Sequence, residues 1–261
     1  MLFPRIIPCL LVHNHGLVKT VKFKQGKYVG DPINAVKIFN EKEADELMVL
    51  DIDATVQGKE PNYIMIENLA AECRMPLCYG GGITNAEQAS RIFSLGVEKI
   101  AISSALINNP HLVNDISGKV GAQSVVAVLD VKKSLFGKYS LYTHNATRKV
   151  ELDLFDLIRK LELSGVGEIV INSIDHDGVM QGYDFVLAKK IKSCVGVPVT
   201  ILGGAGSLED IRRLINENGI IGAAVGSLFV FKGKYKAVLI NYPNPAEKEE
   251  VLKDFMQRTV A

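Results

Sequence analysis

The chain has 261 residues, of which 48% are hydrophobic and 23% charged, and it carries a formal net charge of +1. This is the composition of a globular chain with a sizeable core, in one large or two ordinary domains. The near-neutral balance gives no electrostatic case for nucleic acid or an anionic membrane, and no apolar run approaches the roughly 18 residues of a membrane span.

The chain opens on Met1-Leu2-Phe3-Pro4-Arg5, which lacks the n-region and cleavage site of a secretory signal, so a cytoplasmic setting is expected. Apolar runs of strand length then recur eight times, at 5–12, 46–52, 76–79, 99–103, 124–131, 168–173, 199–202 and 221–225. Most are nearly continuous Val, Ile, Leu and Ala, the pattern of parallel strands covered on both faces. Amphipathic segments of helical length lie between them. Asp31-Pro32 opens one, with the acid as N-cap and proline at the first helical position. Thr84 and Glu87 read as a capping box before Ala89, Ile92 and Phe93, and Gly96 ends that helix. Ser207 caps the helix that carries Ile211 and Leu214, and a C-terminal helix is expected at about 245–258. Eight βα units in about 250 residues is the arithmetic of a (β/α)8 barrel. A doubly wound open sheet is the alternative, but it calls for no two-fold internal repeat.

The chain has such a repeat. Pro76-Leu77-Cys78-Tyr79-Gly80-Gly81-Gly82-Ile83-Thr84 returns 122 residues later as Pro198-Val199-Thr200-Ile201-Leu202-Gly203-Gly204-Ala205-Gly206-Ser207. The stretch from Glu46 to Asp53 matches that from Glu168 to Asp175, and Ala101-Ile102-Ser103-Ser104 matches Ala224-Val225-Gly226-Ser227. The run from Ile6 to Val12 matches that from Val125 to Val131. The expected organisation is therefore one barrel made of two half-barrels, about 1–120 and 121–240. Strand, glycine turn and helix N-terminus together make an anion site, because glycine lets a phosphate approach the backbone N–H groups closely. Each half supplies one such cradle: Gly81, Gly82, Ser103 and Ser104 in the first, Gly203, Gly204, Gly226 and Ser227 in the second. The plainer reading is that these glycines only make tight turns.

In this fold the active site lies where strands end. The polar residues there are Lys19 on a long first loop, Asp51 after strand two, Asp130 after strand five, and Asp175, His176 and Asp177 after strand six. Asp130 is the sharpest acid/base candidate, a carboxylate ending an apolar strand. Lys19, Lys22, Lys24 and Lys27 make the first loop basic, which suits a flexible lid over phosphates or an ordinary solvated loop. His13, His15 and His176 sit in polar loops. Cys9, Cys73, Cys78 and Cys194 form no CxxC pair, so buried thiols are expected, and neither a metal nor a cofactor is called for.

These words resemble, from end to end, the cyclase subunit of imidazole glycerol phosphate synthase. The likeness is carried by Arg5-Ile6-Ile7-Pro8-Cys9-Leu10, Gly80-Gly81-Gly82-Ile83, Asp175-His176-Asp177-Gly178, Gly182-Tyr183-Asp184 and Gly203-Gly204-Ala205-Gly206. The resemblance implies a duplicated half-barrel that binds a bis-phosphorylated substrate and receives ammonia from a glutaminase-type amidotransferase subunit. That partner docks on the opposite, N-terminal face. Of the family's two catalytic aspartates, the second falls on Asp130 and the first on Leu11, which transfers no proton. Ser103 stands where the family usually has Asn, and Leu202 where it usually has Ser. The family's gate of four charges falls on Arg5, Glu46, Lys99 and Glu168, each beginning a strand, with Asp45 and Glu98 beside it resembling the docking surface. A stability plug is the plainer reading of that ring. A conduit with one missing acid resembles most the branch of this family that works with a sugar amidotransferase, turning acetamido into acetamidino groups on surface-polysaccharide or nonulosonic-acid sugars. The alternatives are a true cyclase using Asp130 alone or with Asp51, and a non-catalytic scaffold for the glutaminase.

Overall fold

The computed structural model describes residues 3–109 and 111–260, without the side chains of residues 259 and 260. Met1 and Leu2, read above for targeting, lie outside these residues. Eight parallel strands form a closed ring: Arg5–His13 (β1), Leu47–Asp51 (β2), Leu77–Gly80 (β3), Lys99–Ile102 (β4), Val125–Lys133 (β5), Glu168–Ser173 (β6), Val199–Leu202 (β7) and Gly222–Val225 (β8). Each pairs with its chain neighbours, and the pairing of β8 with β1 returns the sheet to its start. The longest ladder joins β5 to β6, from Glu168↔Val126 to Ser173↔Val131. Helices Pro32–Glu41 (α1), Tyr63–Glu72 (α2), Ala86–Ser94 (α3), Leu112–Val120 (α4), Leu154–Leu163 (α5), Phe185–Lys192 (α6), Leu208–Asn218 (α7) and Pro245–Val260 (α8) follow the strands in turn. The fold is the (β/α)8 barrel that the strand count implied, with strand ends within about two residues of the expected ones.

Strands apolar on both faces serve two cores. Ile6, Leu10, Leu47 and Val49 point outward and pack with Phe39, Ile66 and Leu69 of the helices. Their alternates Ile7, Cys9, Met48, Cys78, Val128 and Val170 form a separate buried cluster, the inside of the barrel. Parity therefore decides which side chains can meet at the barrel axis.

The helix caps follow short-range chemistry. Asp31 Oδ1 accepts from the Asn34 N–H at 2.9 Å, and Ser207 and Asp210 form a reciprocal capping box. The capping-box reading of Thr84 and Glu87 is corrected. The N-cap of α3 is Asn85, whose Oδ1 accepts from Gln88 N–H at 2.9 Å, while Gln88 Oε1 reaches back to the Thr84 N–H at 2.8 Å. Asparagine is the stronger cap, and it moves the box one residue on.

The first connection is not a flexible loop. It is an antiparallel ribbon, Gly16–Val21 with Lys24–Gly30, which continues β1 through Leu11↔Val18. Its Lys22–Phe23 turn has φ of 52° and 61°. Asp177 ties it down: the Thr20 hydroxyl donates to Asp177 Oδ2 at 2.7 Å, Phe23 N–H to the same oxygen at 3.1 Å, and Lys22 N–H to the Asp177 carbonyl at 2.9 Å. A second hairpin, Tyr139–Thr143 with Arg148–Val150, extends β5, and neither ribbon was read from the sequence. No helix among the described residues is long and apolar enough to cross a membrane.

Candidate functional site

A cavity of about 560 Å³ opens where the barrel strands end. Gly81, Gly82, Ser103 and Ser104 line it from the β3–β4 side, and Gly203, Gly204, Gly226 and Ser227 from the β7–β8 side, opposite in the ring. The turns require glycine. Gly81 has φ of +127°, and a Cβ there would lie 2.5 Å from the Asp51 carbonyl. At Gly204, φ is +116° and a Cβ would sit 2.1 Å from the Gly182 carbonyl. The two halves also share an uncommon backbone turn. Ser103 has φ −124° and ψ −92°, and Gly226 has φ −100° and ψ −89°, each opening a short helical turn. Two concave stretches of glycine backbone thus face one cavity.

Lys19 is buried on the ribbon strand rather than free on a loop, and its Nζ donates to the Cys9 carbonyl. Burial holds its amine below the usual lysine range, partly offset by Cys9 and Asp177. A Cβ on Gly226 would come within 2.9 Å of that Nζ, so the lysine lies beside the second cradle. Asp177 lines the cavity too, with its carboxyl raised chiefly by burial against the hydrogen bonds from the ribbon. Asp51 also lines it, but its Oδ1 accepts from the N–H groups of Asp53 and Ala54 at 2.9 and 3.1 Å, so it shapes a turn. His13 pairs with Asp53 at 2.7 Å and His176 with Ser173 at 2.8 Å. No group of three or more potential metal ligands gathers among the described residues.

Asp130 projects into the cavity from β5. Burial raises its carboxyl to about 7, opposed by a hydrogen bond from Asn172 and reinforced by repulsion from Asp177. The residue is half-buried, with one side open to the cavity. Asn172 is its partner, donating from Nδ2 to Asp130 Oδ1 at 3.0 Å. The sequence reading passed over Asn172, although a polar side chain inside the apolar run 168–173 was the available signal. Leu11 lines the same cavity, in register with Leu50, and Leu202 stands in register with Asn172. His144 and Asn145 also reach the mouth from the unread hairpin, where Asn145 Nδ2 donates to the Ile52 carbonyl at 3.0 Å.

At the other end the four strand-opening charges meet. Arg5 Nη1 lies 2.5 Å from Glu46 Oε2, and Arg5 Nη2 lies 2.7 Å from Glu168 Oε1. Lys99 Nζ donates to Glu46 at 2.9 Å and to Glu168 at 3.0 Å. The Thr200 hydroxyl adds a bond to Glu168 at 2.6 Å, a contact the sequence reading did not include. Both carboxylates are buried and every charge has an opposite neighbour, the arrangement that makes burial of ions tolerable. Beside the ring, Asp45 accepts from Ile6 N–H and pairs with Lys248, and Glu98 accepts from Leu77 N–H. Between ring and cavity lies the apolar inner cluster, with the buried Thr200 in register with Val170.

The sequence matches the family described as histidine biosynthesis protein over residues 5–236. It is 58% identical over 254 residues to a Vibrio vulnificus protein provisionally named imidazole glycerol phosphate synthase subunit hisF3, covering 97% of this chain and 98% of that one. A Pseudomonas aeruginosa protein named in the same provisional way as subunit hisF2 is 52% identical over 240 residues, 92% and 96% of the two chains. The imidazole glycerol phosphate synthase subunit HisF of Natranaerobius thermophilus is 34% identical over 242 residues, 93% and 96%.

Proposed function

The chain belongs to the histidine biosynthesis protein family, among the HisF-like cyclase subunits of imidazole glycerol phosphate synthase, and we propose that it conducts ammonia from a glutaminase to a chemistry other than cyclisation. In this reading a glutamine amidotransferase subunit docks on the N-terminal face. Ammonia passes the ring of Arg5, Glu46, Lys99 and Glu168, crosses the apolar interior and emerges beside Asp130. The two half-barrels each offer one cradle, which together hold the phosphates of an anionic ligand. The acceptor is an acetamido sugar that becomes an acetamidino sugar on a sugar amidotransferase, in surface-polysaccharide or nonulosonic-acid synthesis.

The observation that carries this reading is the apolar Leu11 that shares the cavity between the cradles with Asp130. A cyclase must remove one proton and deliver another, and loss of one of two cooperating groups costs roughly 10²–10⁴-fold. Asp51 is a weaker substitute for the missing acid, since its Oδ1 is held by two backbone N–H groups in a turn. The intact ring supports retention of ammonia transfer. The names of the relatives favour a second reading, a histidine-pathway cyclase working with Asp130 and a displaced acid, for which the raised Asp177 in the same cavity is the best placed.

The two readings separate on the isolated chain. It is given the bis-phosphorylated ribulosyl aminoimidazole carboxamide precursor and ammonium salt at alkaline pH. Binding without turnover is expected. Turnover at an ordinary enzymatic rate would establish the cyclase and overturn the amidation reading.

A further inference from the structure

Asn172 and Asp130 are register partners across the β5–β6 ladder, so their side chains project to the same side, into the barrel. The bond from Asn172 Nδ2 is the only hydrogen bond that the Asp130 carboxyl accepts among the described residues. Asn172 is itself buried, and its Oδ1 is buried with no partner at all. Apolar side chains share the lining with the pair: Val128 on the same strand, Leu202 in register with Asn172, and Leu11 and Leu50. Of the charged and titratable groups in the cavity, Asp177 and Cys9 act on Asp130 directly, while Lys19, Asp51, Lys59, Glu60 and His144 line the same space.

A buried carbonyl without a donor is destabilising, and native structures rarely leave one without a reason. An amide offers what no apolar residue can, donors and an acceptor on one end. The ionised Asp130 takes the Nδ2 hydrogen. Once Asp130 carries the proton, a half-turn of the amide brings Oδ1 round to accept it. Leu11 leaves no acid at the position facing Asp130, and Asp177 in the same cavity is tied to Thr20 and Phe23, which makes Asp130 the carboxyl through which proton traffic passes on this reading. We propose that Asn172 is the positioning residue of Asp130, holding that carboxyl by a hydrogen bond in both protonation states and leaving its second oxygen turned to the cavity. The inference rests on Asp130 being the proton-handling group of the proposed reaction, whichever acceptor that reaction uses.

The test needs neither substrate nor partner. The full chain, carrying 13C at aspartate Cγ and 15N at asparagine, is titrated by NMR, with the Asp130 signal assigned from Asp130→Asn. In the wild-type chain the Asn172 side-chain amide should titrate with the same midpoint as Asp130. In Asn172→Leu, which fills the site with a side chain that Leu11 and Leu202 already use there, the Asp130 midpoint should rise by about one pH unit or more. The rise is upward because a hydrogen bond to the ionised form is about twice as strong as one to the neutral form. An unmoved midpoint in a variant of unchanged melting temperature, or an Asn172 amide blind to the titration, would overturn the proposal. If Asn172→Leu does not fold, Asn172→Ala is read in the same way. Failure of the amidation reading appears in the cyclisation assay and leaves these titrations untouched.

Discussion

Glu168 is the place where the ring can be broken with the clearest expected result. Its carboxylate is buried and accepts from Arg5 at 2.7 and 3.2 Å, from Lys99 at 3.0 Å and from Thr200 at 2.6 Å. Burial alone would raise its pKa, but the Arg5 and Lys99 cations overcome that and hold it below the ordinary value. The same attraction, against burial, holds Lys99 above its ordinary value. Glu168→Gln keeps the shape and leaves two cations sharing one carboxylate, Glu46. Removing one partner from a buried charge network typically destabilises by about 3–5 kcal/mol. For a chain of this size that corresponds to a melting temperature lower by roughly 6–20 °C. The pH dependence has a definite sign. A lowered carboxylate contributes stability above its unfolded pKa of about 4.3 and loses it as pH falls through the folded value. Lys99 contributes below about 10.4 and loses its share as pH rises through its raised folded value. The gap between wild type and Glu168→Gln should therefore be full from about pH 5 to pH 10 and shrink in acid. Urea titrations at pH 7 and pH 3.5 measure it, with Glu151→Gln as an exposed control that should change little. A gap under about 1 kcal/mol at pH 7, or one that survives unchanged in acid, would refute the account of the ring as mutually compensated buried charge.

Four further expectations concern the site. Lys99→Glu reverses a ring charge, so glutamine-driven product formation should fall at least tenfold while reaction with added ammonium persists; equal rates with glutamine would remove the conduit. Asp130→Asn should lower turnover by roughly 10²–10⁴-fold, and it should also stabilise the chain. The raised carboxyl disfavours folding progressively between its unfolded value near 3.9 and its folded value of about 7, so the gain should be near zero at pH 4 and about 1–3 kcal/mol at pH 8, discounted for the water-facing side. Leu11→Asp restores a second acid and should raise cyclisation of the imidazole carboxamide precursor at least about 100-fold with ammonium, measured by its consumption. Gly204→Ala drives a Cβ against the Gly182 carbonyl at a positive φ and should abolish binding of the phosphorylated ligand in calorimetry.

The barrel was legible because its signals are redundant. Eight apolar runs, caps such as Asp31 and Ser207, and a repeat in register each imply the same closure, and an error of two residues in a strand end changes none of them. The ring was legible for a related reason: Arg5, Glu46, Lys99 and Glu168 begin strands of like parity, and parity alone sends them to one axis. What failed to show was anything decided by an irregular connection. Lys19 was legible as a candidate at the strand ends, but its setting was not: only the register of the ribbon turns it inward onto the Cys9 carbonyl. Asp177 carries the family's motif, yet its side chain is committed to Thr20 and Phe23, more than 150 residues away. Asn172 and Thr200 are lone polar residues in strands, and a one-dimensional pattern gives no sign of which partner faces them.

On the proposed reading, Leu11 stands where a second acid would, which changes what the barrel can do with a proton, and the surrounding residues have a bearing on that change. With acids on opposite walls, one can be ionised while the other is protonated, and a ligand between them loses and gains protons in one encounter. With Leu11, Leu50 and Leu202 lining the site and Asp177 tied to the ribbon, Asp130 is, on this reading, the carboxyl that exchanges protons with the ligand, and its value near 7 lets it stand in either state at neutral pH. Ammonia, on the same reading, crosses the apolar interior uncharged, since an unpaired ammonium there would meet Ile7, Met48, Val126 and their apolar neighbours. It therefore reaches the cavity as a nucleophile that needs no base to free its lone pair. One carboxyl suffices to take the proton that nitrogen sheds when it forms its new bond. It does not suffice to protonate a second centre in the same step, as ring closure demands. On the proposed reading, a barrel with one such carboxyl is matched to handing nitrogen on to an acceptor activated elsewhere.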